Sequence, residues 1–302
     1  MKKFVIYFAG GTMRGVFGAG VATAFEKNNI YPKISTIYGA SAGVMTGAYF
    51  LAKQTELGAS IYWENLGEKF ISRKDFFIGV WQRFQNRFIK AVPKDKLRDA
   101  IDIEYFIDII KNKKCLDIQK IISQNTPLNI KLFNLDARVI EYIDARRSDI
   151  LKILKAGINV FPYVHKVSTI HDKKYIDAAI MDIIGFDFLK QKHPNEKIII
   201  VMNGQIDRKL RYRAKNIIEG KFMQWMFNDP LLYNLYASAE DKLEEDIKKI
   251  KANPSFLLIA PKKDVAVRSR TTDVNLLLDM YNLGIKAGET ALQSSFMNCN
   301  LK

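Results

Sequence analysis

The chain has 302 residues, of which 48% are hydrophobic and 26% are charged, so it has the apolar content for a large core and is not a disordered protein. Its two cysteines, Cys115 and Cys299, have no metal-ligand spacing, which argues against a disulfide framework or zinc knuckle and favours a reducing, cytoplasmic compartment. The formal net charge of +15 fits nucleic acid, an anionic membrane surface or no specific partner.

Short apolar runs alternate along the chain with segments of helical length. The predicted strands are Lys3–Ala9, Ile34–Tyr38, Leu128–Leu135, Lys197–Met202 and Ser255–Ala260. The predicted helices are Gly15–Asn28, Val44–Lys53, Leu210–Glu219 and Ala239–Lys251. This alternation predicts an α/β fold in which a mostly parallel central sheet lies between two layers of helices. Because no repeat or linker interrupts the pattern, we expect one domain over residues 1–302.

Two segments imitate targeting or membrane sequences. The start, MKKFVIYFAGGTMRG, superficially resembles a signal peptide, but its apolar run ends at Gly10 and no cleavage-like site comes after it, so a buried strand is expected. The uncharged run Ile34–Ala52 is long enough to cross a membrane, and Gly39, Gly43 and Gly47 imitate a helix-dimer motif. Its hydroxyl groups and glycines make it poorly apolar, so we expect a strand, a turn and a buried helix instead.

A basic, aromatic insertion is predicted around residues 67–125. Between Gly67 and Arg98 it has nine Lys or Arg against three acidic residues, and aromatic side chains recur at helical spacing at Phe77, Trp81, Phe84 and Phe88. Two interpretations are open: a helix that covers the sheet edge with its apolar side inward, and a helix that docks on lipid. A second basic, aromatic segment, Asp207–Phe227, adds support to the membrane interpretation.

The sequence GASAG, residues 39–43, matches the G-x-S-x-G pattern between a predicted strand and a predicted helix. This context places Ser41 on a sharp turn, where Gly39 and Gly43 remove side chains that would collide with neighbouring backbone. The turn also aims Ser41 at the N-terminus of the next helix, whose free N–H groups favour negative charge. Ser41 is therefore a candidate nucleophile.

A second glycine cluster, GGTMRG at residues 10–15, comes after the first predicted strand. It has the glycine spacing of a phosphate-binding loop, but Val16 stands where the lysine is required, and neither cluster has the dinucleotide-binding spacing. We therefore predict no cofactor and no metal. In a parallel sheet this loop opens on the same edge as Ser41, so its backbone N–H groups are a candidate oxyanion hole; a tight turn without a ligand is the alternative.

The base that would activate Ser41 is less obvious. The histidines are His165, His171 and His193. His193 precedes a predicted strand and would lie on the opposite sheet edge from Ser41, so it is rejected; His165 and His171 are expected in loops or strands, although His171 is not excluded. Asp177 comes after a short apolar strand and can take the serine proton directly if it is shielded from water. An isolated Asp in a turn, however, commonly has no catalytic role.

The segments GGTMRG, GASAG and FPYV…YIDAA together resemble the patatin-like phospholipases, which have a glycine-rich oxyanion loop, a G-x-S-x-G elbow and a D-G-G/A segment. The resemblance extends from about Lys3 to Gly288 and includes a strand hairpin in PLNIKLFNLDARVIEYID. It implies a patatin-like three-layer fold and a Ser–Asp dyad without a catalytic histidine, in which Ser41 is the nucleophile and Asp177 the base.

The resemblance also implies that the oxyanion loop offers the N–H groups of Gly10, Gly11, Thr12 and Met13, and that Arg14 fixes this loop or faces an anionic head group. The chain departs from the family pattern twice. Thr12 stands where the loop has its third glycine, and its β-branched side chain disfavours a positive φ. Ala178 and Ala179 stand after Asp177 where relatives have glycine, which adds bulk beside the base.

The implied function is lipid acyl hydrolysis of the phospholipase A or lysophospholipase type, through an acyl-enzyme on Ser41. The implied partners are a lipid or phospholipid substrate and an anionic membrane that the protein contacts peripherally. The alternative, motivated by Thr12 and Ala178, is a catalytically weak or inactive patatin-fold protein that binds lipid or a partner. No nucleic-acid-binding motif accompanies the positive charge.

Overall fold

A computed structural model of the chain describes residues 4–67, 70–89, 92–93, 96–147, 149–206, 210–261 and 266–298. The strands are β1 (Phe4–Phe8), β2 (Ile34–Gly39), β3 (Leu128–Asn134), β4 (Val139–Asp144), β5 (Ser168–Ile170), β6 (Lys173–Asp177), β7 (Lys197–Val201) and β8 (Phe256–Ile259). The helices are α1 (Gly15–Lys27), α2 (Ala42–Leu51), α3 (Thr55–Glu64), α4 (Arg73–Ile89), α5 (Ile103–Asp108), α6 (Ile118–Ile122), α7 (Ile150–Gly157), α8 (Phe186–Lys192), α9 (Leu210–Phe227), α10 (Pro230–Ala237), α11 (Ala239–Lys251), α12 (Val274–Gln293) and α13 (Ser295–Asn298).

The strands form one sheet in the order β5–β6–β3–β2–β1–β7–β8, and β4 pairs with β3 outside this order. The pairs β3–β2, β2–β1, β1–β7 and β7–β8 are parallel, whereas β4, β5 and β6 join by antiparallel pairing. Every residue of β1 and of β7 is buried, as expected for central strands that are covered on both faces. The predicted mostly parallel central sheet is confirmed.

Side chains that alternate along β1 enter two separate cores. Ile6 and Phe8 pack in a core with side chains of α1, α2 and α12, whereas Val5 and Tyr7 pack in a second core with side chains of α8 and α11. The period of two along a strand sends neighbouring residues to opposite faces, so both faces bury apolar side chains under helices. The predicted three-layer α/β/α architecture is confirmed.

The register around β3 brings two strand ends together. β4 pairs with β3 from Asn129 to Asn134 and so occupies one edge of β3. β2 therefore pairs along the other edge up to Ile130, and β6 pairs along that same edge from Leu132 onward. Since β2 runs parallel to β3 and β6 runs antiparallel to it, the carboxyl ends of β2 and β6 meet head to head. The loops that leave these two strands must therefore lie close together.

The predicted strands and helices agree with the structure to within two residues, with one exception. α9 ends at Phe227 rather than at Glu219. Gly220 favours a break in the sequence pattern, but a Cβ at this position would lie only 3.0 Å from Cβ of Tyr236, so the glycine allows α9 to pack closely on α10. Within the ranges that the structure describes, no helix is both long enough and apolar enough to cross a membrane.

The predicted insertion around 67–125 contains α4, α5 and α6. On α4, Phe77, Trp81 and Phe84 are exposed, whereas Phe88 lies outside the described side chains. Of the two interpretations of this helix, the one with its apolar side inward is therefore wrong at these three positions. The physical reason is on the inner face, where the guanidinium of Arg83 is buried and donates a 3.0 Å hydrogen bond to the carbonyl of Pro162.

Candidate active site

Ser41 lies at the turn between β2 and α2. It has φ 51° and ψ −124°, a strained combination for a residue with a side chain and the one expected of a nucleophile elbow. Its hydroxyl makes no capping hydrogen bond to α2 although the residue occupies the N-cap position. The side chain is largely buried, with 7% of the residue exposed, so the hydroxyl is held at the sheet edge without being used for helix capping.

Two glycines give this turn the space it requires. A Cβ at Gly43 would lie 2.0 Å from the carbonyl oxygen of Phe8, and a Cβ at Gly39 would lie 2.8 Å from the carbonyl oxygen of Gly43. The first turn of α2 therefore packs directly on the end of β1, and no side chain fits at either position. This close approach sets the elbow beside the loop after β1.

The loop after β1 has its backbone donors unused. Among the described residues, no backbone carbonyl accepts a hydrogen bond from the N–H of Gly10, Gly11, Thr12 or Met13. These four N–H groups are therefore not used in backbone pairing. A Cβ at Gly10 would lie 3.1 Å from Cβ of Ser41, so this loop and the elbow are in contact. The loop therefore remains a candidate oxyanion hole, because such a hole is built from N–H groups that are free to bind a developing negative charge.

Thr12 adopts φ 53°, the left-handed region that a β-branched residue rarely occupies. The loop thus has the conformation that a glycine would adopt, with a threonine in it. Arg14 lies at the end of this loop, and its Nε donates a 3.4 Å hydrogen bond to the carbonyl of Gly11. The arginine therefore contacts its own loop, one of the two roles that the sequence suggested for it.

Asn203 fixes the loop from the neighbouring strand, and the sequence did not identify this residue. It lies just after β7, is 1% exposed and accepts a 2.8 Å hydrogen bond from the N–H of Gly18. Its Nδ2 donates a 2.7 Å hydrogen bond to the carbonyl of Ala9, the residue before Gly10. The available signal was its place just after a central parallel strand, since the carboxyl ends of such strands share one edge.

Asp177 ends β6 and lies at the meeting point of the strand ends. It is 4% exposed, and its Oδ1 accepts a 2.9 Å hydrogen bond from the N–H of Ala179. Its Oδ2 is buried and receives no hydrogen bond from the residues that the structure describes. The loop after β6 is also in contact with the loop after β1, since a Cβ at Gly10 would lie 3.0 Å from Cβ of Ala179.

Burial raises the pKa of Asp177 to about 7, because a charged carboxylate is poorly solvated inside the protein. The N–H of Ala179 and the hydroxyl of Ser41 partly offset this rise and lower the pKa. Ser41 is therefore near enough to stabilise the charged carboxylate. A carboxyl group with this pKa exchanges a proton readily near neutral pH.

Lys131 on β3 lowers the pKa of Asp177 as well. Its side chain is fully buried, its Nζ lies 3.0 Å from Oδ2 of Asp182, and it also donates a hydrogen bond to the carbonyl of Asp182. Asp182 belongs to the loop after Asp177, so Lys131 holds this loop from beneath the sheet. Because desolvation of the two charges is costly, a buried ion pair of this kind adds little net stability.

All three histidines lie away from Ser41. His193 contacts the hydroxyl of Tyr38 at 2.8 Å and Glu196 at 2.5 Å, and His165 contacts Asp99 at 2.7 Å. His171 lies in the β5–β6 turn, at the opposite end of β6 from Asp177. None of them contacts the candidate nucleophile, so the structure agrees with the rejection of His193.

An apolar pocket adjoins Ser41. Its cavity volume is about 60 Å³, narrow beside the range of about 300–1,000 Å³ that is typical of small-molecule sites. Its lining includes Thr12, Ser41, Met45, Tyr62, Phe70 and Phe106. The pocket thus joins the candidate nucleophile and the glycine-rich loop to a narrow apolar cavity.

Comparisons with known proteins bear on the fold and the family. The structure is similar to that of VipD from Legionella pneumophila, with a TM-score of 0.50 and 12% sequence identity. The alignment covers 96% of this chain and 66% of that chain, just under two thirds, so this likeness establishes the fold alone. Among curated protein sequences none matches this one. The family model described as patatin-like phospholipase matches residues 6–190, more than half of the chain, and this protein belongs to the patatin-like phospholipase family.

Proposed function

We propose that this protein is a lipid acyl hydrolase in which Ser41 and Asp177 form a catalytic dyad. The observation that carries the proposal is a strained serine, whose hydroxyl does not cap α2, beside a buried carboxyl group. The Ser41 hydroxyl lowers the pKa of this carboxyl group, and Oδ2 has no hydrogen-bond partner in ideal geometry among the described residues. Such a carboxylate can take a proton from a hydroxyl, since it is shielded from water and has a pKa of about 7. The membership of the chain in the patatin-like phospholipase family supports an ester as the substrate.

In the first half of the reaction, the Ser41 Oγ attacks the ester carbonyl carbon while its proton moves to Oδ2 of Asp177. The bond from Ala179 to Oδ1 keeps the carboxyl group in place during this transfer. The carbonyl oxygen becomes an oxyanion, which the N–H groups of the loop from Gly10 to Met13 stabilise. The intermediate then collapses, the alcohol leaves with the proton from Asp177, and an acyl group stays on Ser41.

In the second half, water takes the place of the alcohol. The water attacks the acyl carbon while Asp177 accepts its proton. A second oxyanion forms, and the same N–H groups stabilise it. Collapse of the second intermediate returns the proton to Oγ of Ser41 and releases the fatty acid. The apolar pocket would hold the acyl chain during both halves, since the lining near Met45, Phe70 and Phe106 offers no charge.

A substrate panel tests this function. Wild type, Ser41→Ala and Asp177→Asn should be compared on phospholipids, lysophospholipids, neutral lipids and short water-soluble esters. We expect wild type to release fatty acid, and both variants to lose at least about a hundredfold in kcat, because each removes a reacting group.

The variants also separate this function from the alternative. Wild type that turns over no ester in the panel, while it still binds lipid, would support a non-catalytic lipid-binding protein. Ser41→Ala with undiminished turnover would rule out Ser41 as the nucleophile. Circular dichroism of each variant checks that the fold is retained.

A further inference from the structure

An aromatic patch lies on the protein surface where α4 meets α9. It consists of Phe77, Trp81 and Phe84 on α4 with Phe222 and Trp225 on α9. The three residues of α4 are 71%, 60% and 47% exposed. The rings of Trp81, Phe84 and Trp225 form a row, since the ring centroids of Trp81 and Phe84 are 6.0 Å apart and those of Phe84 and Trp225 are 6.1 Å apart. A cluster of exposed large aromatic side chains marks an interaction surface.

The patch is held facing outward by the inner side of α4. The buried guanidinium of Arg83 donates hydrogen bonds to the carbonyl of Pro162 at 3.0 Å and to the carbonyl of Arg98 at 3.3 Å, and pairs with Asp99 at 3.2 Å. A Cβ at Gly79 would lie 2.2 Å from the carbonyl oxygen of Arg98. Rotation of α4 to bury its aromatic face would break these contacts, so exposure of the aromatic side chains is built into the fold.

The second helix extends the apolar surface. On α9, Ile218 is 69% exposed, and it lies one helical turn from Phe222. Phe222 in turn lies 5.5 Å from Trp225 between ring centroids. The patch therefore spans two neighbouring helices rather than a single row of side chains.

The charge around the patch selects the partner. In sequence, α4 and α9 together have eight Lys or Arg and two acidic residues. Of these cations Arg83 is buried, and Arg213 pairs with Asp241 and Glu244 on α11. Lys74 on α4 and Lys221 on α9 are exposed and lie one helical turn or less from the aromatic side chains. Both acidic residues are matched by a cation, Asp75 by Arg98 at 2.7 Å and Glu219 by Lys215 at 3.2 Å. Aromatic rings among exposed lysines complement an anionic lipid surface, with rings at head-group depth and lysines at the phosphates.

The patch also borders the route to Ser41. Phe70 lines the apolar pocket and lies three residues before the start of α4. Val160 also lines this pocket, and it lies two residues before Pro162, whose carbonyl accepts the hydrogen bond from Arg83. On the other helix, the ring of Tyr212 lies 6.0 Å from the guanidinium of Arg14, at the end of the glycine-rich loop. A surface that rests on α4 and α9 would thus be next to the pocket.

We propose that the aromatic patch and its surrounding lysines form the docking surface for an anionic lipid bilayer. The rings of Trp81, Phe84 and Trp225 enter the head-group region, and α4 and α9 lie in the plane of the interface. Docking in this way delivers a lipid acyl ester to the pocket without the full departure of the lipid from the bilayer. The delivery of an ester rests on the proposed function, whereas the docking itself is tested without it.

Vesicle binding tests the surface directly. Ser41→Ala protein, which leaves the vesicles intact, is mixed with phosphatidylcholine vesicles that contain either no phosphatidylglycerol or a large fraction of it, and bound protein is measured by flotation. We expect binding to the anionic vesicles that falls as salt is added. Adding Phe77→Gln, Trp81→Gln and Phe84→Gln should weaken it at least about tenfold, because each ring buries a large apolar area.

A matched control uses apolar residues on a different helix. Val274 and Leu283 on α12 are 44% and 46% exposed, and Val274→Gln with Leu283→Gln should leave vesicle binding unchanged. An equal loss in this control, or no loss in the patch variant, would overturn the proposal. A further variant has the patch substitutions and retains Ser41. Its rate on a water-soluble short-chain ester checks that these substitutions do not disturb the active site.

Tryptophan fluorescence gives the orientation. The chain has three tryptophans: Trp81 and Trp225 in the patch, and Trp63, whose ring lies 5.2 Å from Tyr281. Brominated lipid in the vesicles should quench wild-type fluorescence. Trp81→Phe with Trp225→Phe keeps an apolar patch and leaves Trp63 as the sole reporter, so this variant should bind and stay unquenched. Strong quenching of Trp63 would place a different face on the lipid.

A second copy of the chain is the remaining occupant to test. Sedimentation of the wild type without lipid should give a monomer at micromolar concentration. A dimer that the Phe77, Trp81 and Phe84 substitutions dissociate would show that the patch is a subunit interface and would overturn lipid docking. Vesicle binding that is equal with and without phosphatidylglycerol would overturn the role of the lysines.

Discussion

Asp177 is placed where its charge is costly. Its carboxyl group is buried, and its pKa is raised to about 7, well above the value of about 3.9 in an unfolded chain. Oδ1 is held by Ala179 and Oδ2 is left without a described donor. A carboxylate that water would stabilise is thus kept reactive, and folding stability is lower as a result.

The pKa of Asp177 predicts the pH profile of hydrolysis. The base must be ionised to accept the proton of Ser41, so kcat/KM should rise with pH below about pH 7 and level off above it. The measurement is the rate on a water-soluble ester between pH 5 and pH 9. A profile with no inflection near neutral pH, in protein that stays folded throughout, would contradict the assignment of Asp177 as the base.

The same pKa shift predicts a change of stability. Between about pH 4 and pH 7 the folded protein retains a proton on Asp177 that the unfolded chain has lost, so this residue lowers the free energy of unfolding as pH rises through that window, by up to about 4 kcal/mol. Asp177→Asn removes the ionisation. Its Tm relative to wild type should therefore be higher at pH 8 than at pH 5; an equal difference at both pH values would contradict the shift.

Thr12 offers a second test at the level of one residue. A left-handed φ costs a residue with a side chain about 1–2 kcal/mol, while glycine adds about 0.5–1 kcal/mol of unfolded-state entropy. Thr12→Gly should therefore stabilise the fold by up to about 1 kcal/mol and retain activity, and Thr12→Ala, which keeps Cβ, should gain less. Thermal unfolding and kcat/KM of both variants check this order. A glycine variant less stable than wild type would mean that the threonine side chain makes a stabilising contact.

At the scale of the elements, three loops from three strands build the site. The loop after β1 supplies Gly10, the turn after β2 supplies Ser41 and the end of β6 supplies Asp177. The first two come after parallel neighbours in the sheet, so their meeting is a consequence of ordinary α/β topology. The third arrives from an antiparallel strand that shares an edge of β3 with β2.

These elements differ in how well the sequence predicts them. The elbow is local: the strand, the two glycines and the helix that shape Ser41 lie within twenty residues, so the pattern predicts it. Asp177 depends on the pairing of β6 with β3, a contact between distant segments that no local pattern encodes. Its place after a short apolar strand made it a candidate, and the family resemblance gave it the role of base. The sequence did not identify Asn203 or Lys131, because their roles depend on distant neighbours. Asn203 binds Gly18, more than a hundred residues away, and Lys131 binds Asp182, about fifty residues away.

Asn203 gives a prediction at this scale. Asn203→Ala would leave the N–H of Gly18 and the carbonyl of Ala9 buried and unpaired, which should lower the free energy of unfolding by roughly 3 kcal/mol. Because Ala9 directly precedes Gly10, the loop should also lose its position, so kcat should fall more than KM rises. Asn203→Asp retains the acceptor for Gly18 and serves as the partial variant. Unchanged kcat in a folded Asn203→Ala protein would separate Asn203 from the site.

α4 shows a limit of sequence periodicity. The spacing of Phe77, Trp81 and Phe84 predicts that these side chains share one face, and they do. It does not determine whether that face points inward, because the answer depends on the partners of the opposite face. Here Arg83 finds three oxygen acceptors in the interior, and the aromatic side chains are left outside.

For the whole molecule, the alternation of apolar runs and helical segments predicts the parallel sheet and its helical layers. The net charge, in contrast, does not predict which kind of partner the protein binds. A charge of +15 is compatible with several partners until the structure locates the basic side chains beside exposed rings. The excess of positive charge on α4 and α9, together with the row of aromatic side chains, gives the charge a specific surface. We infer that the molecule has a catalytic edge and a lipid-facing surface next to each other.

The central claim is that Ser41 is a nucleophile activated by Asp177. The most direct measurement is labelling by a fluorophosphonate probe, with the modified residue located by mass spectrometry of the digested protein. We predict one label on Ser41 in wild type, no label in Ser41→Ala and strongly slowed labelling in Asp177→Asn. A label on another residue, or labelling that persists in Ser41→Ala, would contradict this claim.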